Sequence, residues 1–199
     1  MTAQTNGRRT YLQPPQIKRL VDHCRNAAVR ADGNPRKAEV DWLVVALGLG
    51  AGLTVAELTT LRVGDCHTDG NSPSIHVRCG KGGVPGDVAI SAALVDHLRR
   101  FVALKADWGQ DVAADAYVLA TGTGKPYTRS ALQKRFKAVA TAAGLPGVSI
   151  QSLRRTFCAE LLRRTGNLKL VQVQARHARL ASTAALAEAQ ATGTLAQGS

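Results

Sequence analysis

Gln151-Ser152-Leu153-Arg154-Arg155-Thr156-Phe157, followed by Val171-Gln172-Val173-Gln174-Ala175-Arg176-His177, is the stretch whose reading decides this chain. Apolar periodicity predicts one helix over 152–164 and a second over 168–174, with an Ala-rich helix after His177. Working back from there, 130–143 and 92–105 read as helices by the same period. Pro14-Pro15 opens a helix with Ile17, Leu20, Val21 and Cys24 on one face, and Asp32-Gly33-Asn34-Pro35 is a break. The helix over 36–49 carries Val40, Leu43, Val44 and Leu47 beside Trp42, and its apolar second half predicts a central place in the core.

The period changes in two places. Ser74-Ile75-His76-Val77-Arg78 and Asp87-Val88-Ala89-Ile90 alternate like strands, joined by the glycine-rich hairpin tip Cys79–Gly86. Gly48–Leu53 turns into a short helix over 54–61, where Thr54 and Glu57 have the spacing of a capping box. The fold class is therefore mainly α with a small antiparallel β-sheet (α+β). The expected organisation is a flexible segment 1–12, one domain over 13–190 and a tail over 191–199.

Charge narrows the partner. Lys and Arg number 26 against 14 Asp and Glu, giving +12 and a pI near 10.2. Such a surplus favours a polyanion, because each phosphate that is neutralised releases condensed counterions. Aromatics are only 4% of the chain, which argues against a base-stacking single-strand platform and for duplex DNA held by its backbone. No apolar run approaches the roughly 20 residues of a membrane span, and no signal peptide is expected in the polar stretch 1–9. The expected setting is the cytoplasm, associated with the nucleoid, with no membrane partner. Cys24, Cys66, Cys79 and Cys158 lie far apart and read as reduced thiols. No cofactor is called for. His23-Cys24 and Cys66-His67 lack a second pair at zinc spacing, so no metal site is expected. Gly122-Thr123-Gly124-Lys125-Pro126 hints at a phosphate loop, but Leu119 and Pro126 stand where that motif needs Gly and Ser or Thr.

Four segments in fixed order carry a family resemblance. They are Gly52-Leu53-Thr54-Val55-Ala56-Glu57-Leu58 with Asp65 beyond it, Gly80-Lys81-Gly82-Gly83, Gly124-Lys125-Pro126-Tyr127-Thr128, and the opening stretch ending at His177. Together they resemble the catalytic domain of the tyrosine recombinases, the phage integrase family, over about residues 10–190. The resemblance implies a DNA-binding fold in which two arginines and a His-type residue surround the scissile phosphate. In that family a lysine protonates the leaving oxygen and a tyrosine attacks. Fixed cations are needed there because charge builds on the non-bridging oxygens in the transition state.

Carried onto this chain, Lys81, Arg154 and His177 stand in register as remnants of that site. Thr54 replaces the first arginine, Gln151 the first His-type residue, and Leu186 the tyrosine nine residues after His177; no Tyr lies beyond Tyr127. Thr54 reads first as a helix cap and second as a hydroxyl donor to phosphate. Gln151 can donate a hydrogen bond but cannot shuttle a proton. Ala175 and Arg176 replace the usual turn residues before His177. Expected DNA-binding residues are Lys81, Arg154, His177, Arg155, Lys125 and Arg129. The family's N-terminal DNA clamp is not expected over this chain.

Leu186 cannot attack phosphorus, so the leading expectation is an inactive, recombinase-like chain. It would bind duplex DNA and serve a regulatory or accessory role in recombination or integration of a mobile element. One alternative is an active recombinase whose nucleophile is displaced to Ser182 or Thr183 or lent by a partner. Another is a protein-interaction module that modulates an active recombinase, or self-associates, through the helix around 181–189.

Overall fold

The computed structural model describes residues 11–30, 34–78 and 85–176. Helix α1 (Pro14–Arg30) buries Leu20 and Cys24 against α2 (Pro35–Gly50). Asn34 starts α2 by accepting the Lys37 N–H at 3.0 Å, with Pro35 in the first turn where its missing donor costs nothing. Val40, Leu43, Val44, Val45, Leu47 and Gly48 are all buried, covering more of α2 than one stripe, so it is the central helix. Gly48 lets α6 (Ile150–Thr165) approach: a Cβ there would lie 2.6 Å from Leu153 Cδ1.

After α2 the chain turns at Gly52 into α3 (Val55–Thr60), then a single 3₁₀ turn at Val63–Asp65. Strands β1 (Cys66–His67), β2 (Ser74–Val77) and β3 (Gly86–Ala89) form an antiparallel sheet in that order. Cys66 pairs with Ile75, and Ile75 with Val88. Ile75, Val77 and Val88 face the core, while His76 and Asp87 pair on the outer face at 2.9 Å. Helices α4 (Ala92–Asp107) and α5 (Arg129–Ala142) are capped by Ser91 and Thr128. Ser149 caps α6, which stops at Gly166 in the left-handed region, and Asn167 caps α7 (Leu168–Gln174).

This is the mainly helical architecture with one small antiparallel sheet that the periodicity predicts. One detail differs. Two-residue β1 is too short to show alternation, and it exists because β2 offers it an edge. Leu12 is buried at 2% exposure, and its N–H donates to Thr156 Oγ1 at 2.8 Å. The helix expected after His177, the hairpin tip at 79–84 and the first ten residues lie outside the described residues. Among the described residues no helix is long and apolar enough to cross a membrane.

Candidate functional site

Three loops and helix ends converge on Glu57. Thr54 and Glu57 form the expected capping box: Thr54 Oγ1 accepts the Glu57 N–H at 3.3 Å, and Glu57 Oε2 accepts the Thr54 N–H at 2.7 Å. Thr54 is thus committed to starting α3. Gly52, at φ 61°, turns its carbonyl toward α6, where Arg154 Nη1 donates to it at 2.7 Å. A side chain at position 52 would meet the Phe157 ring. Arg154 also donates to the Ala175 carbonyl and, at 3.5 Å, to Glu57 Oε2.

A second guanidinium arrives from the end of α7. Arg176 has φ 54°, a left-handed conformation that residues with a Cβ rarely adopt. Its Nε donates to Glu57 Oε1 at 3.2 Å and its Nη2 to Glu57 Oε2 at 2.9 Å, while Nη1 holds the Gln174 carbonyl at 2.8 Å. Arg154 is 6% and Arg176 7% exposed, and the Glu57 side chain keeps 15%. Burial pushes the Glu57 carboxyl up, but the Arg176 hydrogen bond and charge, the Thr54 N–H and Arg154 together hold it below its ordinary value. Burial lowers Arg154, and the neighbouring Arg176 adds to that while Glu57 opposes it. Cys158 behind them is pushed up to about 11 by burial and stays neutral. Two buried cations therefore share one carboxylate.

The other expected residues are placed differently. Gln151 is exposed in the first turn of α6 and lines a cleft of about 440 Å³ with Val55, Gln133 and Lys137. Arg155 is half-buried and engaged with partners. Lys125 and Arg129 are exposed, on the loop before α5 and at its first residue. Lys81, His177, Ser182, Thr183 and Leu186 lie outside the described residues. The strand that follows the Lys81 hairpin does reach the cluster: a Cβ on Gly86 would lie 3.8 Å from Arg176 Cγ. The Ala89 N–H binds Gln174 Oε1 at 3.0 Å, docking β3 on α7.

Among the described residues no three His, Cys, Asp or Glu side chains gather as metal ligands. The sequence reading treated Arg176 only as an odd turn residue and passed over Lys137. Position 176 did carry a signal, a long cation where the resemblance has glycine, but its destination is visible only in three dimensions.

The sequence profile of the "Phage integrase family" matches residues 10–191. The chain is 31% identical to tyrosine recombinase XerC of Proteus mirabilis over 144 residues, 72% of this chain and 45% of that protein. It is 28% identical to tyrosine recombinase XerD of Ralstonia nicotianae over 179 residues, 87% and 57% of the two. It thus spans about half the length of these relatives. Its fold is that of a XerA recombinase crystal structure (TM-score 0.74, 24% identity, 90% of this chain and 60% of that one). It is also that of XerH bound to palindromic difH substrate in a post-cleavage complex (TM-score 0.79, 19% identity, 98% and 55%). These relatives correct the expectation of an inactive chain: they are named as recombinases, which are enzymes, and nothing in the described residues shows this chain to be inactive. Matched by the family profile over far more than half its length, the chain belongs to the phage integrase family.

Proposed function

We propose that this domain binds duplex DNA and holds a backbone phosphate at the Arg154–Glu57–Arg176 cluster during DNA recombination. The observation that carries the reading is the charge imbalance of that cluster: two guanidiniums more than nine-tenths buried against one carboxylate. A buried charge without a counterion is costly, so a site left one negative charge short is suited to an incoming anion. The overall +12 supplies long-range attraction to a polyanion. Related folds include XerH bound to difH substrate and a lambda integrase dimer bound to a COC′ core site, which supports DNA as that polyanion.

In this reading Arg154 donates to a non-bridging phosphate oxygen and stabilises the charge that develops when a hydroxyl attacks phosphorus. Glu57 does not touch the DNA; it fixes the two forks. Gln151 and Lys137, at the neighbouring cleft, contact the same backbone further along, and Lys125, Arg129 and Arg155 extend the basic face. Lys81 is proposed as a further phosphate contact. The domain works with the nucleoid in the cytoplasm, on a mobile element.

Leu186 favours one specific form of this function, in which the attacking hydroxyl belongs to a residue other than 186. It comes from Ser182 or Thr183, or from a second recombinase chain that docks through the segment around 181–189. Incubation with nicked duplex, alone and with an active recombinase, followed by denaturing electrophoresis and mass spectrometry of the adduct, tests this. A covalent adduct mapping to Ser182, Thr183 or the second chain is the expected result. Absence of both duplex retention and any adduct would overturn the proposal.

A further inference from the structure

We infer that Arg176 supplies the second guanidinium of the phosphate site, reaching from the end of α7 the position that residue 54 vacates. The inference rests on the proposed DNA-binding function and identifies a binding residue within it.

Geometry puts the two positions together. Thr54 N–H and Arg176 Nη2 donate to the same oxygen, Glu57 Oε2, at 2.7 and 2.9 Å. The Arg176 guanidinium thus sits at the carboxylate that residue 54 itself grips, although the two residues are far apart in the chain. Its Nη2 also reaches the Gly52 carbonyl at 3.5 Å, the acceptor that Arg154 uses at 2.7 Å. The forks of Arg154 and Arg176 are therefore held side by side by one carboxylate and one carbonyl. Paired guanidiniums in a fixed relation match the several oxygens of a phosphodiester better than one fork can.

Two features argue against a merely structural role. A left-handed backbone favours glycine, so an arginine at φ 54° is an unfavourable choice unless its side chain contributes something. Stability is a poor candidate for that contribution. A buried ion triad is a weak stabiliser, because desolvation of each charge offsets most of the attraction, and a second buried cation beside Arg154 repels it. Glu57 would be neutralised by Arg154 alone. What the second guanidinium adds is net positive charge, which serves an anion.

The chemistry recognised is a phosphate, from a nucleic-acid backbone or free in solution, and the two sources separate in the test. Affinity for a fluorescent duplex is measured by anisotropy for the wild type, Arg154→Ala, Arg176→Gly and the Thr54→Arg/Arg176→Gly double variant. Thermal unfolding is followed for each with and without inorganic phosphate. Arg176→Gly suits the local backbone and is expected to stay folded, yet to weaken duplex binding roughly ten- to hundredfold. Thr54→Arg in that background is expected to return most of the lost affinity by bringing a guanidinium to Glu57 from the other side. Stabilisation by inorganic phosphate in the wild type, absent in Arg176→Gly, would place the recognition in the phosphate itself. DNA affinity unchanged in Arg176→Gly but lost in Arg154→Ala would overturn the role of Arg176 and leave the DNA-binding function standing. No duplex binding by the folded wild type would remove both. Should Arg176→Gly unfold, Arg176→Lys keeps the charge without the fork. A wild-type affinity in that variant would equally overturn the inference.

Discussion

Glu57 has three duties at once, since it caps α3 and holds both Arg154 and Arg176. Replacing it with Gln keeps the shape and strands two buried guanidiniums without a counter-charge. Glu57→Gln is expected to destabilise by about 3–5 kcal/mol in chemical denaturation, as for breaking a buried pair by removing one partner. Arg154→Ala and Arg176→Gly each leave a balanced pair, so each should lose less. The Glu57 carboxyl sits below its ordinary 4.5 in the folded state. The folded protein thus binds fewer protons there than the unfolded chain. Its contribution is present above pH 4.5 and is lost as pH falls through the lower folded value. Unfolding midpoints measured from pH 5 downward should fall for the wild type and lose that component in Glu57→Gln. The same residue marks how far sequence reading reaches. The Thr54–Glu57 capping box is legible because it is local in sequence. The second and third partners of Glu57 come from α6 and beyond α7, and no local pattern announces them.

At the scale of elements, helix order, the two strands of the hairpin and the Thr54 cap were legible from apolar spacing and cap residues. What escaped was whatever depends on a neighbour: β1, which needs the β2 edge, and the burial of Leu12 under α6. Glycines show the same limit. Gly52 reads as a turn, but its service as joint acceptor for Arg154 and Arg176 follows from the packing of α6. Gly52→Ala meets both a left-handed φ and the Phe157 ring, so it should cost about 2–3 kcal/mol, as overpacking and an incompatible backbone do. It should also reduce DNA affinity, whereas Gly48→Ala, which presses on Leu153 in the α2–α6 contact, should lower stability with less effect on binding per unit lost. The α2–α4 contact contains a titrating element of its own. His97 packs on Trp42 with ring centroids 4.3 Å apart, beside Arg100, which grips Glu39. Burial, with Arg100 adding to it and Glu39 opposing, lowers its pKa from 6.5 to about 4. The unfolded chain takes up this proton first, so stability is lost as pH falls from about 6.5 toward 4. His97→Phe should flatten the unfolding midpoint over that window in a calorimetric pH series.

For the whole molecule, the fold class follows from the period of the apolar residues and the family from motifs in order, while composition supplies the expectation of a polyanionic partner. The departures at Thr54, Gln151 and Leu186 stand in the sequence itself, but their meaning does not. Thr54 read alone looks like a missing arginine, and only the folded chain shows another arginine arriving at the same carboxylate. Leu186 read alone suggested an inactive chain, whereas the relatives it matches are named as recombinases and nothing in the described residues shows this chain to be inactive. Binding of a DNA phosphate at the Arg154 cluster is tested by duplex affinity measured across a salt series for the wild type and Arg154→Ala. Arg154→Ala is expected to bind roughly ten- to hundredfold more weakly, with the slope of log K against log salt reduced by about 0.9, the signature of one lost phosphate contact. Identical affinity and slope in a folded Arg154→Ala protein would contradict it.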